Sequence, residues 1–252
     1  MRRFFFWFLP IGAALIAAGV FGYGLAMYLR GDTGEPVDVG MSAAPASAAP
    51  RDVVAPVILG DSLARGAGDE SGLGIPGRLD AELRHRGIRA QRTYNFAVNG
   101  ARTNDLLQVL GRENVREILR QSNVIIVSIG GNDLWGGNDW RNAAPPNPDA
   151  AMNEVMGKIE TAVETIRQAN PKARIFFVGL YNPFVKSPIG PGLTTLVHRW
   201  NARLLEHFSR DPDFTLVQTE DLFAHRDRLS VDRFHPSGEG YALIARRIAE
   251  GI

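Results

Sequence analysis

Two short runs at opposite ends of the chain carry side chains able to do covalent chemistry. Gly60-Asp61-Ser62-Leu63 places a hydroxyl directly after the apolar run 53–59, and Asp232-Arg233-Phe234-His235 places a carboxylate three residues ahead of an imidazole. Serine is a poor nucleophile unless a neighbouring base takes its proton, and the base works best when a carboxylate fixes its tautomer. Residues three apart on one turn can face the same side, so Asp232 can hold His235 Nδ1–H. A serine hydrolase is the chemistry these residues suggest.

Neither run is specific alone, because Ser62 could equally cap a helix that follows the first strand. Two further segments add weight. Asn95-Phe96-Ala97-Val98-Asn99-Gly100-Ala101-Arg102-Thr103 ends an apolar segment with a glycine that lets a backbone N–H face a ligand or simply serves a turn. Gly130-Gly131-Asn132-Asp133 ends the most apolar strand candidate, 123–129. The Asn132 amide can point at a developing negative oxygen, and Asp133 suits an Asx-turn. His85, His198, His207 and His225 lack a comparable carboxylate and read as surface or helix histidines.

In this order the four segments resemble the blocks of the SGNH (GDSL-type) hydrolases, with a likeness to their lysophospholipase-like esterases. The blocks match at Gly60-Asp61-Ser62, at Gly100, at Gly130-x-Asn132-Asp133 and at Asp232-x-x-His235. The resemblance runs from about residue 53 to the C-terminus. It implies Ser62 as nucleophile, His235 as general base and acid, and Asp232 as its orienter. It implies an oxyanion hole made of the Ser62 N–H, the Gly100 N–H and the Asn132 side chain. It implies no metal and no organic cofactor. The substrate would be a carboxylic acyl ester of lysophospholipid or thioester type, or an O-acetyl group on envelope carbohydrate. A non-catalytic envelope binding module is the reading from another class. The Gly-x-Ser-x-Gly elbow of α/β-hydrolases is absent around Ser62.

The elements that must position these residues alternate strictly. Strands are expected at 53–59, 92–97, 123–129, 175–180 and 214–218. Helices are expected at 75–86, 103–120, 150–168, 193–208 and 238–252. Such alternation implies a flavodoxin-like three-layer α/β/α sandwich with a mostly parallel five-stranded sheet. Ligands of such sheets bind beyond the C-terminal strand ends, where Ser62, Gly100 and Asn132 all fall. The longer segments 134–148, with Trp135 and Trp140, and 181–191, with Pro183 and Phe184, are expected to shape the pocket.

Residues 4–29 carry no charged side chain. As a helix they would span roughly 39 Å, enough for a hydrocarbon core of about 30 Å. The expected organisation is therefore a signal anchor or transmembrane helix at 1–30, a flexible Ala/Pro/Gly/Ser linker at 31–52 and a hydrolase domain at 53–252. A cleaved signal is the alternative. Arg2 and Arg3 precede the apolar stretch, while Arg30, Asp32 and Glu35 follow it. This bias favours a cytoplasmic N-terminus and an extracytoplasmic domain held at the membrane. With 28 basic and 27 acidic residues, nothing suggests nucleic acid as a partner. The chain has no cysteine, so neither a disulfide nor a lipidated cysteine is available.

Overall fold

The computed structural model describes residues 14, 16–23, 26, 53–134, 147–224 and 226–252. The chain divides into two compact units, Met1–Pro45 and Ala46–Ile252. In the first unit, residues 14, 16–23 and 26 are helical and exposed. Most of the expected anchor and all of the linker lie outside the described residues. Among the described residues no helix is long and apolar enough to cross a membrane.

The second unit is built on parallel strands. β1 (Val53–Val54) pairs with β3 (Arg89–Ala90). A five-stranded sheet is ordered β4 (Tyr94–Asn95), β2 (Pro56–Gly60), β5 (Val124–Ser128), β6 (Arg174–Val178), β7 (Phe214–Val217), with every pairing parallel. Numbered along the chain, these five strands stand 2-1-3-4-5, the flavodoxin-like order. The switch point lies between β2 and β5.

The helices are α1 (Ser62–Arg65), α2 (Gly74–His85), α3 (Thr103–Leu110), α4 (Glu113–Gln121), α5 (Gly131–Leu134), α6 (Pro148–Ala169), α7 (Gly190–His207) and α8 (Gly238–Glu250). β2 and β5 are buried at every position, because helices cover both faces of the sheet. The period of two then divides their side chains between two cores. Val57, Leu59, Ile125 and Val127 pack under α3, α4, α6 and α7. Ile58, Val124 and Ile126 pack under α2 and α8 on the opposite face.

Three boundaries differ from the sequence reading, each for a local reason. The run 53–59 divides at Ala55, whose N–H donates to Asn123 Oδ1 at 2.8 Å. Pro56 has no N–H of its own, so the chain steps there from pairing with β3 to pairing with β5. The expected strand 92–97 shrinks to Tyr94–Asn95, because Asn95 Oδ1 takes the Ala97 N–H at 2.9 Å while its amide reaches Ala64 O at 3.0 Å. The single helix expected at 103–120 is two, α3 and α4, separated at Gly111 and an extended Arg112. The short helices α1 and α5 directly follow the two central strands.

Candidate active site

Everything that places Ser62 is done at the end of β2. Gly60 has φ +127, and a Cβ there would sit 1.8 Å from Ser128 O, so only glycine lets β2 pass so close to β5. Asp61 N–H then donates to Ser128 O at 2.9 Å. The Asp61 side chain caps α1 by accepting from Leu63 N–H at 3.1 Å, and it also accepts from Ser128 Oγ at 3.1 Å. Asp61 is therefore the cap and Ser62 the first helical residue, presented at the switch point. Asp61 is buried, and that burial pushes its carboxyl up to about 6 against the hydrogen bonds from Ser128 and Leu63.

The second part of the site is the turn before α8. Asp232 Oδ1 accepts from Ser230 Oγ at 2.6 Å, Phe234 N–H at 2.8 Å and His235 N–H at 2.9 Å. Its other oxygen meets His235 Nδ1 at 2.7 Å, and His235 Nε2 meets Ser62 Oγ at 2.9 Å. Burial works to raise the Asp232 carboxyl, but the bonds from Ser230, His235 and the two backbone N–H groups outweigh it and hold it at about 2. An ionised carboxylate only accepts, so Nδ1 carries the imidazole proton and Nε2 faces the Ser62 hydroxyl as an acceptor. The structure thus joins Ser62, His235 and Asp232 into one hydrogen-bonded chain.

The asparagine segment reaches the same cleft, and the glycine segment is tied to the end of β2. Val98 N–H donates to Gly60 O at 2.9 Å, which hangs the 97–102 loop from the end of β2. Gly100 turns there with φ +76. The Asn132 amide, at the start of α5, donates to Ala101 O at 2.9 Å, leaving its second amide hydrogen for another acceptor. Asn132 lines a cleft of about 50 Å³ together with Ser62, His235, Tyr181, Pro183 and Phe234. Gly100 is not among the described residues that wall this cleft. Ser62 N–H and Gly100 N–H make no hydrogen bond with described residues.

Several supporting residues escape sequence reasoning because their partners are distant in the chain. Asp133 accepts from Thr103 Oγ1 at 2.7 Å and from Thr103 N–H, tying α5 to α3. Tyr181 Oη–H donates to Phe234 O at 2.7 Å and steadies the histidine turn. A Cβ at Gly68 would sit 2.7 Å from His235 Cβ, so that glycine lets the 66–74 loop close against the imidazole. Buried Asp69 holds this loop by accepting from Ser71 N–H, Gly74 N–H and Arg78. Of the other histidines, His198 pairs with Glu220 at 2.5 Å and His207 with Glu160 at 3.5 Å, while His225 lies outside the described residues. In the pocket segments, Phe184 rests against Phe234, whereas Trp135 and Trp140 lie outside the described residues.

Comparison with known proteins bears on the family and the fold. A profile of the GDSL-like lipase/acylhydrolase family matches residues 58–243. The uncharacterized protein YpmR of Bacillus subtilis (strain 168) is 32% identical over 204 residues, covering 77% of this chain and 79% of that protein. The spore germination lipase LipC of Bacillus licheniformis is 25% identical over 204 residues, covering 75% of this chain and 92% of its own. The lipase Lip_vut3 from a goat rumen metagenome shares the fold, with a TM-score of 0.67 at 22% identity over 78% of this chain and 96% of that one. On the extent of the profile match and the identity to YpmR, the chain belongs to the GDSL-like lipase/acylhydrolase family and is an ester-hydrolysing serine hydrolase.

Proposed function

We propose that Ser62 is the nucleophile of a membrane-anchored esterase that cleaves carboxylic acyl esters through an acyl-serine intermediate. The supporting observation is the unbroken chain Ser62 Oγ–His235 Nε2–His235 Nδ1–Asp232 Oδ2, at 2.9 Å and 2.7 Å. Ser62 Oγ attacks the ester carbonyl while His235 Nε2 takes its proton, and Asp232 holds the resulting imidazolium. The tetrahedral oxyanion receives the Ser62 N–H, the Gly100 N–H and the free amide hydrogen of Asn132. Collapse breaks the bond to the leaving alcohol or thiol, which recovers the proton from His235. Water then gives a proton to His235 and attacks the acyl carbon, releasing the acid and restoring Ser62. These steps need only the chain's own residues and water.

The apolar wall formed by Leu63, Leu180, Pro183 and Phe234 suits an acyl chain, in keeping with a lysophospholipase- or thioesterase-like substrate. The narrowness of the cleft, about 50 Å³, favours a second reading, in which a short acyl group such as acetyl is removed from envelope carbohydrate. A series of p-nitrophenyl esters from acetyl to long acyl separates the two, since each reading requires a preference at its own end. Ser62→Ala should abolish hydrolysis of the whole series with unchanged thermal unfolding. Asn132→Ala should lower kcat by roughly 10²–10³ with little change in KM, because its second hydrogen meets charge that exists only in the transition state. A pure KM effect would place Asn132 on the substrate and away from the oxyanion.

A further inference from the structure

We propose that the catalytic edge of the domain docks face-on against an anionic phospholipid surface through three loops that each carry aliphatic and cationic side chains. The inference rests on the esterase reading above for its purpose, but not for its geometry. Between residues 53 and 252 the exposed large hydrophobic side chains concentrate on the edge where Ser62 stands. They are Leu73 ahead of α2, Val98 in the 97–102 loop, Val185 and Ile189 in the 181–189 loop, and Val231 in the histidine turn. Val231 is fully exposed, at 102%. In this unit only Tyr94 and Leu205 stand elsewhere among such described residues.

The charge on these loops is equally uneven. Arg102, Lys186 and Arg233 are exposed, one per loop, and none makes an ion pair with a described residue. Several arginines on the helices are paired, Arg84 with Asp80, Arg116 with Glu113 and Arg247 with Asp221, whereas exposed Arg65 and Arg246 make no ion pair with a described residue. Three carboxylates near the edge are occupied internally, while exposed Glu239 in the first turn of α8 makes no ion pair with a described residue. Asp105 accepts the Arg102 backbone N–H, Asp133 accepts from Thr103, and Asp232 serves His235. Arg233 moreover has φ +58, a conformation in which glycine costs nothing and arginine is uncommon. An outward cation is held at the one position of the turn where the backbone least favours it.

Aliphatic side chains flanked by unpaired cations are the signature of a surface that enters the headgroup layer of anionic lipid. The occupant follows from where the patch sits. It surrounds the mouth of the cleft, so a protein seated there would bar the substrate, whereas a lipid surface delivers the ester to Ser62.

The absence of cysteine allows a clean test on the full chain. Val231→Cys and Val98→Cys, each labelled with an environment-sensitive fluorophore, should shift to the blue on vesicles containing phosphatidylglycerol and much less on pure phosphatidylcholine. Lys172→Cys, on the loop before β6 at the far edge, should stay aqueous on both. Replacing Arg102 and Lys186 by glutamine should weaken the response by about fivefold per charge, and raised salt should do the same. Hydrolysis of a long-chain ester held in the same vesicles should fall with the label response, while hydrolysis of p-nitrophenyl acetate in water stays unchanged in Arg102→Gln and Lys186→Gln. An aqueous label at Val231 on anionic vesicles overturns the proposal, as does an equal shift at Lys172. A shift that appears without lipid as protein concentration rises makes the face an interface between copies and also overturns it. Failure of every ester alongside a shifted label would overturn the esterase reading and leave the docking intact.

Discussion

Asp61 accepts two hydrogen bonds, yet burial still holds its carboxyl up to about 6, against 3.8 for the free side chain. A folded-state value above the unfolded one means that the group's stabilising contribution is complete below about pH 4 and is lost as pH rises through 6. The difference corresponds to roughly 3 kcal/mol by pH 8. Asp61→Asn keeps an acceptor without the charge, so urea unfolding of the variant should lose much less stability between pH 4 and 8 than wild type does. Parallel pH curves would show that Asp61 is ionised at little cost. Asp232 acts in the opposite direction: its folded value of about 2 makes its contribution present above about 4 and lost as pH falls toward 2. Gly68→Ala belongs to the same scale. Its methyl would press on His235 Cβ and Pro236 O from a φ of +92, and a displacement of about 1 Å at the imidazole should cost kcat roughly 10²-fold. Circular dichroism on that variant should stay native; a lost fold would mean that the clash is not confined to the turn. Asp232 and His235 were legible in the sequence because their relation is local, three residues within one turn. The burial of Asp61 and the contact of Gly68 were not, since both depend on segments more than sixty residues away.

Among the elements, the histidine turn depends on β6 as much as on α8. Tyr181, three residues beyond β6, donates to Phe234 O from a buried position that also raises its hydroxyl's pKa well above the usual tyrosine range. Tyr181→Phe should remove about 1 kcal/mol from the turn and lower kcat severalfold without moving KM. An unchanged kcat would show that the Asp232 bonds hold the turn by themselves. The central strands could be read from sequence because burial on both faces leaves an unbroken apolar run, as in Val124–Ser128. The edges could not be read so well. Asn95 and Asn123 spend their side chains on backbone groups of neighbouring segments, which decides where β4 ends and where β1 gives way to β2. No hydrophobic period records that. Gly111 is likewise a weak mark in a helical pattern until Arg112 is seen extended.

For the whole molecule, the alternation of strand and helix was sufficient to anticipate a doubly wound parallel sheet, while its 2-1-3-4-5 order is read from the pairings. The first thirty residues pose a separate question. Their uncharged stretch 4–29 and the preceding Arg2 and Arg3 support a single span with the domain outside the cytoplasm. The full chain should then pellet with membranes and resist carbonate extraction, while a chain beginning near Arg51 should stay in solution with equal activity on a water-soluble ester. Protease added outside spheroplasts should cut within 31–56 and release an active fragment. Protection of the domain until the membrane is dissolved would reverse the orientation.

Ser62 and His235 meet across 173 residues of chain, and Asp232 enters from the same late segment. On the roles proposed for Ser62 and His235, nothing synthesised before the histidine turn can hydrolyse an ester, however well β2 and β5 have already paired. A polypeptide still on the ribosome then carries its serine without the proposed base. The enzyme is in effect its own zymogen during biosynthesis, and is switched on by the arrival of the segment that carries Asp232 and His235.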